Sequence, residues 1–344
     1  MRWLIYGANG YTGELVARRA LATGERPVLA GRAGPSIEAL AGDLGLEPRV
    51  VALSDGDALR PALSDVDVVA HCAGPFAATA RPMVDACLAT GTHYLDVTGE
   101  VEVFEEIYGR HDEAVAAGVV LLPGGGFDVV PTDCIAARLA AALPGATALD
   151  LAFVLRGGRA SRGTLRSALD GMSRGGLRRV DGRLVPAPPG RPTRTVEFPT
   201  GAAGVAAIRW GDLASAYRST GIPNITTYAR LAPSGLMRAG GAPLGRLMAL
   251  GPARRAAAAL VDRMPAGADA ASRARSRCEV WGEVRDAAGD AVSAALTGPD
   301  PYDLTADAVV RAVGRLAEVP PGAHTPATAF GPEFVETLDG VRIA

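Results

Sequence analysis

The chain has 344 residues, 48% of them hydrophobic, and a formal net charge of -2. That length holds one large domain or two ordinary ones, and the near-neutral balance offers no electrostatic footprint for nucleic acid or an anionic membrane. All 35 basic residues are arginines, which excludes lysine Schiff-base chemistry and any Tyr-x-x-x-Lys catalytic pair.

The first apolar run, residues 2–6, passes straight into "IYGANGYTGE". Further strands are expected at 27–30, 49–52, 66–72, 93–97 and 119–122, with helices at 13–23, 36–44, 81–90 and 101–117. Alternating β and α units argue for a doubly wound parallel sheet. The nearly continuous apolar run "DVDVVAHC" fits a strand buried on both faces. Past Pro131 the pattern changes: a helix is expected at 132–143, a strand at 148–155 and a helix at 164–173. "DGRLVPAPPGRPTR" reads as an exposed, Pro-rich loop. "SRARSRCEVWGEVRDAAGDAVSAALTG" reads as two strands around an Ala-Gly-Asp turn, and a last helix at 305–316 precedes a Pro-rich tail. The expected fold class is α/β, a Rossmann-type doubly wound parallel sheet with a second α+β domain built on a mainly antiparallel sheet. Residues 1–130 are expected to form the Rossmann domain, with 305–344 packing back on it, and 131–304 the domain for substrate binding and dimerisation.

Gly7, Gly10 and Gly13 fall between a strand and a helix. The first permits a tight turn, the second lets backbone approach a pyrophosphate, and the third allows close helix–strand packing. The helix N-terminus then presents unpaired N–H groups and partial positive charge to the phosphates. Gly7, Asn9, Gly10, Tyr11, Thr12 and Gly13 are therefore the expected dinucleotide-binding turn. An NAD site places an acid at the end of the second strand to grip the ribose 2′-hydroxyl. Here that strand ends "VLAGRAG", and Arg32 stands where the acid is expected. A guanidinium suits a 2′-phosphate, so the expected cofactor is NADP(H), with Asp55 facing the adenine.

Chemistry in such a sheet belongs to loops at the carboxyl ends of the strands. Cys72, Ala73, Gly74, Pro75 and Phe76 follow the fourth strand as expected cofactor contacts, with Ala73, Gly74 and Pro75 a thin wall for the nicotinamide. The fifth delivers Tyr94, Asp96 and Glu100, the candidate catalytic residues, because a partly buried carboxyl can act as a general acid. Asp96 and Glu100 equally suit capping of the helix that follows. His71 reads as a core residue, and Asp133, near a later helix start, as a helix-dipole partner. Four scattered cysteines and four histidines show no ligand spacing, so reduced thiols and no metal site are expected. No stretch is long and apolar enough to span a bilayer, and Met1 leaves no room for a signal peptide before the first strand, so a soluble cytoplasmic protein is expected.

At "HCAGPF", "THYLDVTGE" and "GGGFDVVPTD" the chain resembles the saccharopine-dehydrogenase-like NADP-binding oxidoreductases, in particular the bacterial branch described as trans-acting enoyl reductases. "YGANGYTGE" and "LAGR" open the resemblance, and "WGDLASAYRSTGIPN", "SRCEVWGEVRDAAGD" and "TPATAFGPEFVETLDG" carry it through the second half. It implies a Rossmann domain, a second α+β domain with the substrate site, and NADPH as hydride donor. "FAATARP" departs from the glycine-containing segment of the family, so the family's substrate contacts do not transfer to residues 77–81. The implied activity is reduction of a C=C (enoyl) bond in an acyl or natural-product intermediate, free or carrier-bound, with a homodimer as the candidate assembly. Imine (C=N) reduction and a non-catalytic NADP-binding sensor are the alternatives. Residues 231–264 read as two short helices parted near Gly251, with Ala257, Leu260, Val261 and Met264 on one apolar face, either a plain helical pair or a lid for an acyl chain.

Overall fold

Leu4, Ile5, Val68, Val69 and Leu95 are fully buried, as strands covered on both faces require. A computed structural model describes residues 1–230 and 251–344. Its first sheet contains β1 (Trp3–Tyr6), β2 (Val28–Gly31), β3 (Pro48–Val50), β4 (Val68–His71), β5 (His93–Asp96) and β6 (Val120–Leu122). A short strand, Gly322–Ala323, joins beside β6, giving the spatial order 322–323, β6, β5, β4, β1, β2, β3. Every pairing is parallel. The order reverses between β1 and β4, the switch point beside which Rossmann sheets bind nucleotides. In register, Tyr6 lies beside His71 and His71 beside Asp96, one row along the carboxyl ends of three strands.

The intervening helices are α1 (Tyr11–Ala22), α2 (Gly34–Leu44), α3 (Gly56–Leu63), α4 (Phe76–Thr90), α5 (Val101–Tyr108) and α6 (His111–Ala117). Two differ from expectation. α4 starts five residues earlier than its pattern indicates, because its first amides are met by Glu100, 24 residues downstream of Phe76. The single helix expected at 101–117 breaks at Gly109 and Arg110. Glycine weakens a helix interior, and the displaced His111 accepts the N–H of Ala323 on Nδ1 (3.1 Å).

Contact between residues groups 1–130 with 302–331, and 131–301 with 332–344. The returning helix Pro301–Arg315 is fixed in the first unit by Asp307, whose carboxylate pairs with Arg19 at 2.6 Å. The last residues belong to the second unit, because Arg342–Ile343 pairs with a strand there. The returning segment is thus shorter than 305–344.

The second unit is built on β7 (Ala148–Arg156), β8 (Gly176–Val180), β9 (Arg183–Ala187), β10 (Thr193–Phe198), β11 (Gly201–Ile208), β12 (Asn224–Ala229), β13 (Arg277–Arg285) and β14 (Ala291–Gly298). The main path runs β10, β11, β12, β7, β13, β14, then 342–343, with β8 and β9 branching from β12. Among the described strands of this sheet only the β12–β7 pair is parallel. One face meets α7 (Val130–Ala142): a Cβ on Gly282 would lie 2.7 Å from Ile135. The other face buries Trp281, Tyr228, Val196 and Phe198. There Asp150 accepts from Arg194 (2.5 Å) and Arg285 (2.9 Å), and Arg194 lies 4.6 Å above the Trp281 ring.

The stretch read as a Pro-rich loop is largely a hairpin. β8 and β9 turn at Asp181 (φ 47°) and Gly182 (φ 74°), the positive dihedrals of a two-residue hairpin turn. Pro186 is accommodated because β9 pairs with β8 alone. Of the segment 231–264, residues 231–250 lie outside the described residues. The remainder forms a helix, Gly251–Asp262, in which Val261 is buried and Leu260 is 64% exposed. Among the described residues no helix is long and apolar enough to cross a membrane.

Candidate functional site: a dinucleotide cradle at the carboxyl edge of the first sheet

The glycine turn is sewn to β2 by Gly7 and Ala8, whose N–H groups both donate to Ala30 O. Gly7 has φ +82°, and a Cβ there would stand 2.8 Å from the Cβ of Ala73. A Cβ on Gly13 would stand 2.4 Å from Gly7 O and 2.8 Å from Ala8 Cα, which fixes how closely α1 approaches the turn. Gly10 precedes α1 without any side-chain cap, so the helix presents its first-turn amides and its positive end. Asn9 and Gly10 are exposed, while Tyr11 and Thr12 are half-buried. Asn9 Oδ1 lies 3.3 Å from where a Gly31 Cβ would be, so it sits beside the end of β2, where exposed Arg32 begins the next loop. Arg32 partly offsets the burial that raises the Tyr6 phenol, and Tyr6 itself donates to Val51 O. Asp55 caps α3, accepting the Ala58 N–H on Oδ1. This geometry fits a dinucleotide: two positions where a side chain would fill the cradle, an uncapped helix start and an exposed guanidinium.

Cys72, Ala73, Gly74, Pro75 and Phe76 follow β4, against the turn. Cys72 N donates to Tyr6 O, and Ala73 abuts Gly7. Burial, reinforced by the Asp96 carboxylate, pushes the Cys72 thiol up to about 12, so it is no nucleophile at neutral pH. All four cysteines are free, and among the described residues no His/Cys/Asp/Glu group could hold a metal.

The structure places Tyr94 and Asp96 together. Tyr94 donates to Asp96 Oδ2 at 2.6 Å, and both side chains are fully buried. Asp96 Oδ1 accepts from Thr98 N (3.0 Å) and Gly124 N (2.9 Å), and its carbonyl accepts from Gly125 N. Asp96 thus ties the end of β5 to the loop after β6. Burial raises its pKa to about 6 against the opposing pull of these donors. Burial also drives the Tyr94 phenol well above its ordinary value. Glu100 is elsewhere engaged: Phe76 N donates to Oε1 (2.9 Å) and Ala77 N to Oε2 (3.0 Å), closing the start of α4.

The sequence puts Asp128 at the end of the sixth strand, but its role, and that of Thr79, emerge only in three dimensions. Asp128, after β6, lies so close to the fifth-strand loop that a Gly99 Cβ would be 2.8 Å from its Oδ2. It is half-buried, and desolvation raises its pKa to about 7. A half-buried carboxyl near half-protonation at neutral pH suits proton transfer. Thr79, on the first turn of α4, donates to Ala73 O at 2.6 Å and meets His71 Nε2 at 3.1 Å. Neither had a spacing signal, since each is defined by partners on other elements.

Residues 3–122 match the family model of the saccharopine dehydrogenase NADP-binding domain. A trans-acting enoyl reductase of Mycobacterium leprae is 34% identical over 139 residues, covering 38% of this chain and 33% of that protein. A saccharopine dehydrogenase-like oxidoreductase of Bos taurus is 30% identical over 151 residues, covering 38% and 35%. The chain spans about a third of the length of these curated relatives. Over its whole length it superposes on the glutamate-forming saccharopine dehydrogenase of Saccharomyces cerevisiae with a TM-score of 0.66 at 13% identity, covering 100% of this chain and 99% of that one. The cradle thus lies within a segment, residues 3–122, that matches the saccharopine dehydrogenase NADP-binding domain model, on a chain that carries the fold of the yeast saccharopine dehydrogenase.

Proposed function

We propose that the protein is an NADPH-dependent oxidoreductase that reduces a C=C bond of an enoyl-type acyl or natural-product substrate. The observation that carries the reading is a half-buried carboxyl, Asp128, with its pKa near 7, at the same sheet edge as the NADP cradle. NADPH, when bound, supplies a hydride. Arg32 would hold the 2′-phosphate, the first-turn amides of α1 would take the pyrophosphate, and residues 73–75 would line the nicotinamide site. Asp128 gives its proton to the substrate carbon that does not receive the hydride, so one hydride and one proton saturate one double bond. Tyr94, Asp96 and Glu100 act by holding the loops that carry these groups. Likeness to the M. leprae enoyl reductase over 139 residues supports enoyl chemistry, with substrate choice assigned to the second unit.

The test is NADPH oxidation against enoyl thioesters, free and carrier-bound, alongside cyclic and open-chain imines. Turnover of the enoyl series is expected. Turnover of imines alone would replace the substrate class, and NADPH binding without turnover on either series would favour a sensor.

A further inference from the structure

We infer that Thr79 and His71 form a positioning relay that fixes the nicotinamide wall, so that they govern affinity for the nicotinamide half of the cofactor and not for its adenosine half. The inference rests on the NADP reading above.

A threonine in a first helical turn commonly bonds the carbonyl four residues back. Thr79 does approach Pro75 O, at 3.1 Å. Its shorter bond, 2.6 Å, reaches out of the helix to Ala73 O, a wall residue. The hydroxyl carries one proton, and both carbonyls only accept. Whichever carbonyl takes that proton, the 3.1 Å contact with His71 Nε2 must have the imidazole as donor. His71 is therefore the Nε2–H tautomer. Burial lowers its pKa to about 3, so it stays neutral at physiological pH.

The other nitrogen, Nδ1, is buried and has no hydrogen-bond partner among the described residues. The ring is held instead by aromatic neighbours, Tyr6 and Phe76 with centroids at 5.5 Å and Tyr94 at 6.1 Å. A buried acceptor without a donor is unfavourable and calls for an explanation. Here the ring's orientation is fixed by what Nε2 must do. The wall is then gripped from two sides. Thr79 donates its one proton to the carbonyl of Ala73 or of Pro75, and Glu100 holds the amides of Phe76 and Ala77 just beyond it. Ala73 occupies the space a Gly7 side chain would need, and a displaced wall would misplace a nicotinamide seated against it while leaving Arg32 untouched.

The test measures binding of NADPH and of adenosine 2′,5′-bisphosphate, which lacks the nicotinamide, by calorimetry. Thr79→Val keeps the side chain's shape and removes the hydroxyl. It should weaken NADPH about tenfold, the value of one hydrogen bond, while the bisphosphate stays within about twofold. Thr79→Ser should restore NADPH binding. His71→Leu should behave like Thr79→Val, and His71→Gln, which offers an amide near the Nε2 position, should recover part of the loss. Thr79→Ala carries the same expectation should the valine variant fold poorly. Unchanged NADPH binding in the hydroxyl-less variants overturns the relay, as does equal weakening of both ligands. A native protein that binds neither ligand overturns the NADP reading instead.

Discussion

The two ends of the cradle are built on opposite terms. At the adenosine end the polar groups are left available: Asn9 and Arg32 are exposed and α1 begins without a side-chain cap. At the nicotinamide end the carboxylates of the fifth-strand loop are spent on the protein itself, Asp96 on three donors and Glu100 on two amides. Binding needs groups whose partners arrive with the ligand. Placing a reactive ring needs groups already satisfied, because a half-satisfied buried network is mobile and expensive. A polar residue at a strand end can serve either purpose, and its partners decide which.

Asp128 stands at the closed end half-buried and with a raised pKa, and replacing it should have the largest effect. Asp128→Asn should lower turnover by about 10²–10⁴ with NADPH affinity unchanged. The pH dependence follows from the raised pKa. The acid form dominates below about 7, so the rate should decline as pH rises through that value. Stability has the same sign. A carboxyl whose folded pKa is raised contributes fully below its unfolded value, near 3.8, and that contribution is lost as pH rises through about 7. The asparagine variant carries no such dependence, so it should melt higher than the native protein at pH 8, the gap closing on acidification. A variant with normal turnover would remove Asp128 as the proton donor.

Gly7 joins the two ends, and Gly7→Ala should damage both. The residue would be forced to φ +82° with its Cβ 2.8 Å from Ala73 Cβ and 2.9 Å from Ala73 N. Backbone strain and overpacking together cost about 2–5 kcal/mol, visible in chemical denaturation, with loss of NADPH binding. Gly10→Ala is the control. A Cβ there meets only Gly7 O, at 3.1 Å, so stability should hold while the added methyl obstructs the pyrophosphate. Equal destabilisation by both would mean the turn is a structural corner rather than a cradle.

Arg32 tests the open end. Arg32→Ala should weaken NADPH roughly tenfold to a hundredfold and leave NADH nearly unchanged, as expected for one charge-assisted contact at an exposed site. Added salt should shrink the difference. Equal affinity of the native protein for the two cofactors would assign the 2′-phosphate to other groups.

The contrast between the ends also explains what the sequence revealed. Strand–helix alternation, the glycine turn and the position of Arg32 are local in the chain, so spacing exposes them. The β8–β9 hairpin is also local, but its Asp181-Gly182 turn lies beside a proline cluster whose composition indicates a loop. The closed end is not local at all. Glu100 meets amides 23 and 24 residues earlier, Asp96 meets Gly124 28 residues later, and Asp128 owes its pKa to burial that the tertiary structure creates. The sequence places Tyr94, Asp96 and Glu100 at the correct edge of the sheet. It carries no record of which donors each one faces.

Glu100→Gln should have the smallest effect and is the sharpest check on that contrast. Glutamine keeps the length and one acceptor oxygen, so one of the two amides at the start of α4 retains its partner. The other, most simply that of exposed Ala77, can turn to water. The loss is one part-exposed hydrogen bond, about 0.5–1.5 kcal/mol, plus a weakened charge–dipole interaction at the helix N-terminus. Turnover should stay within roughly tenfold of native, the ceiling that such a loss sets if all of it fell on the transition state. NADPH binding should weaken by no more than the same factor. A fall of a hundredfold or more with NADPH binding intact is too large for a cap. It would transfer the proton to Glu100, and the closed end would then be a catalytic surface whose acid is masked by the amides of α4 until substrate draws it away.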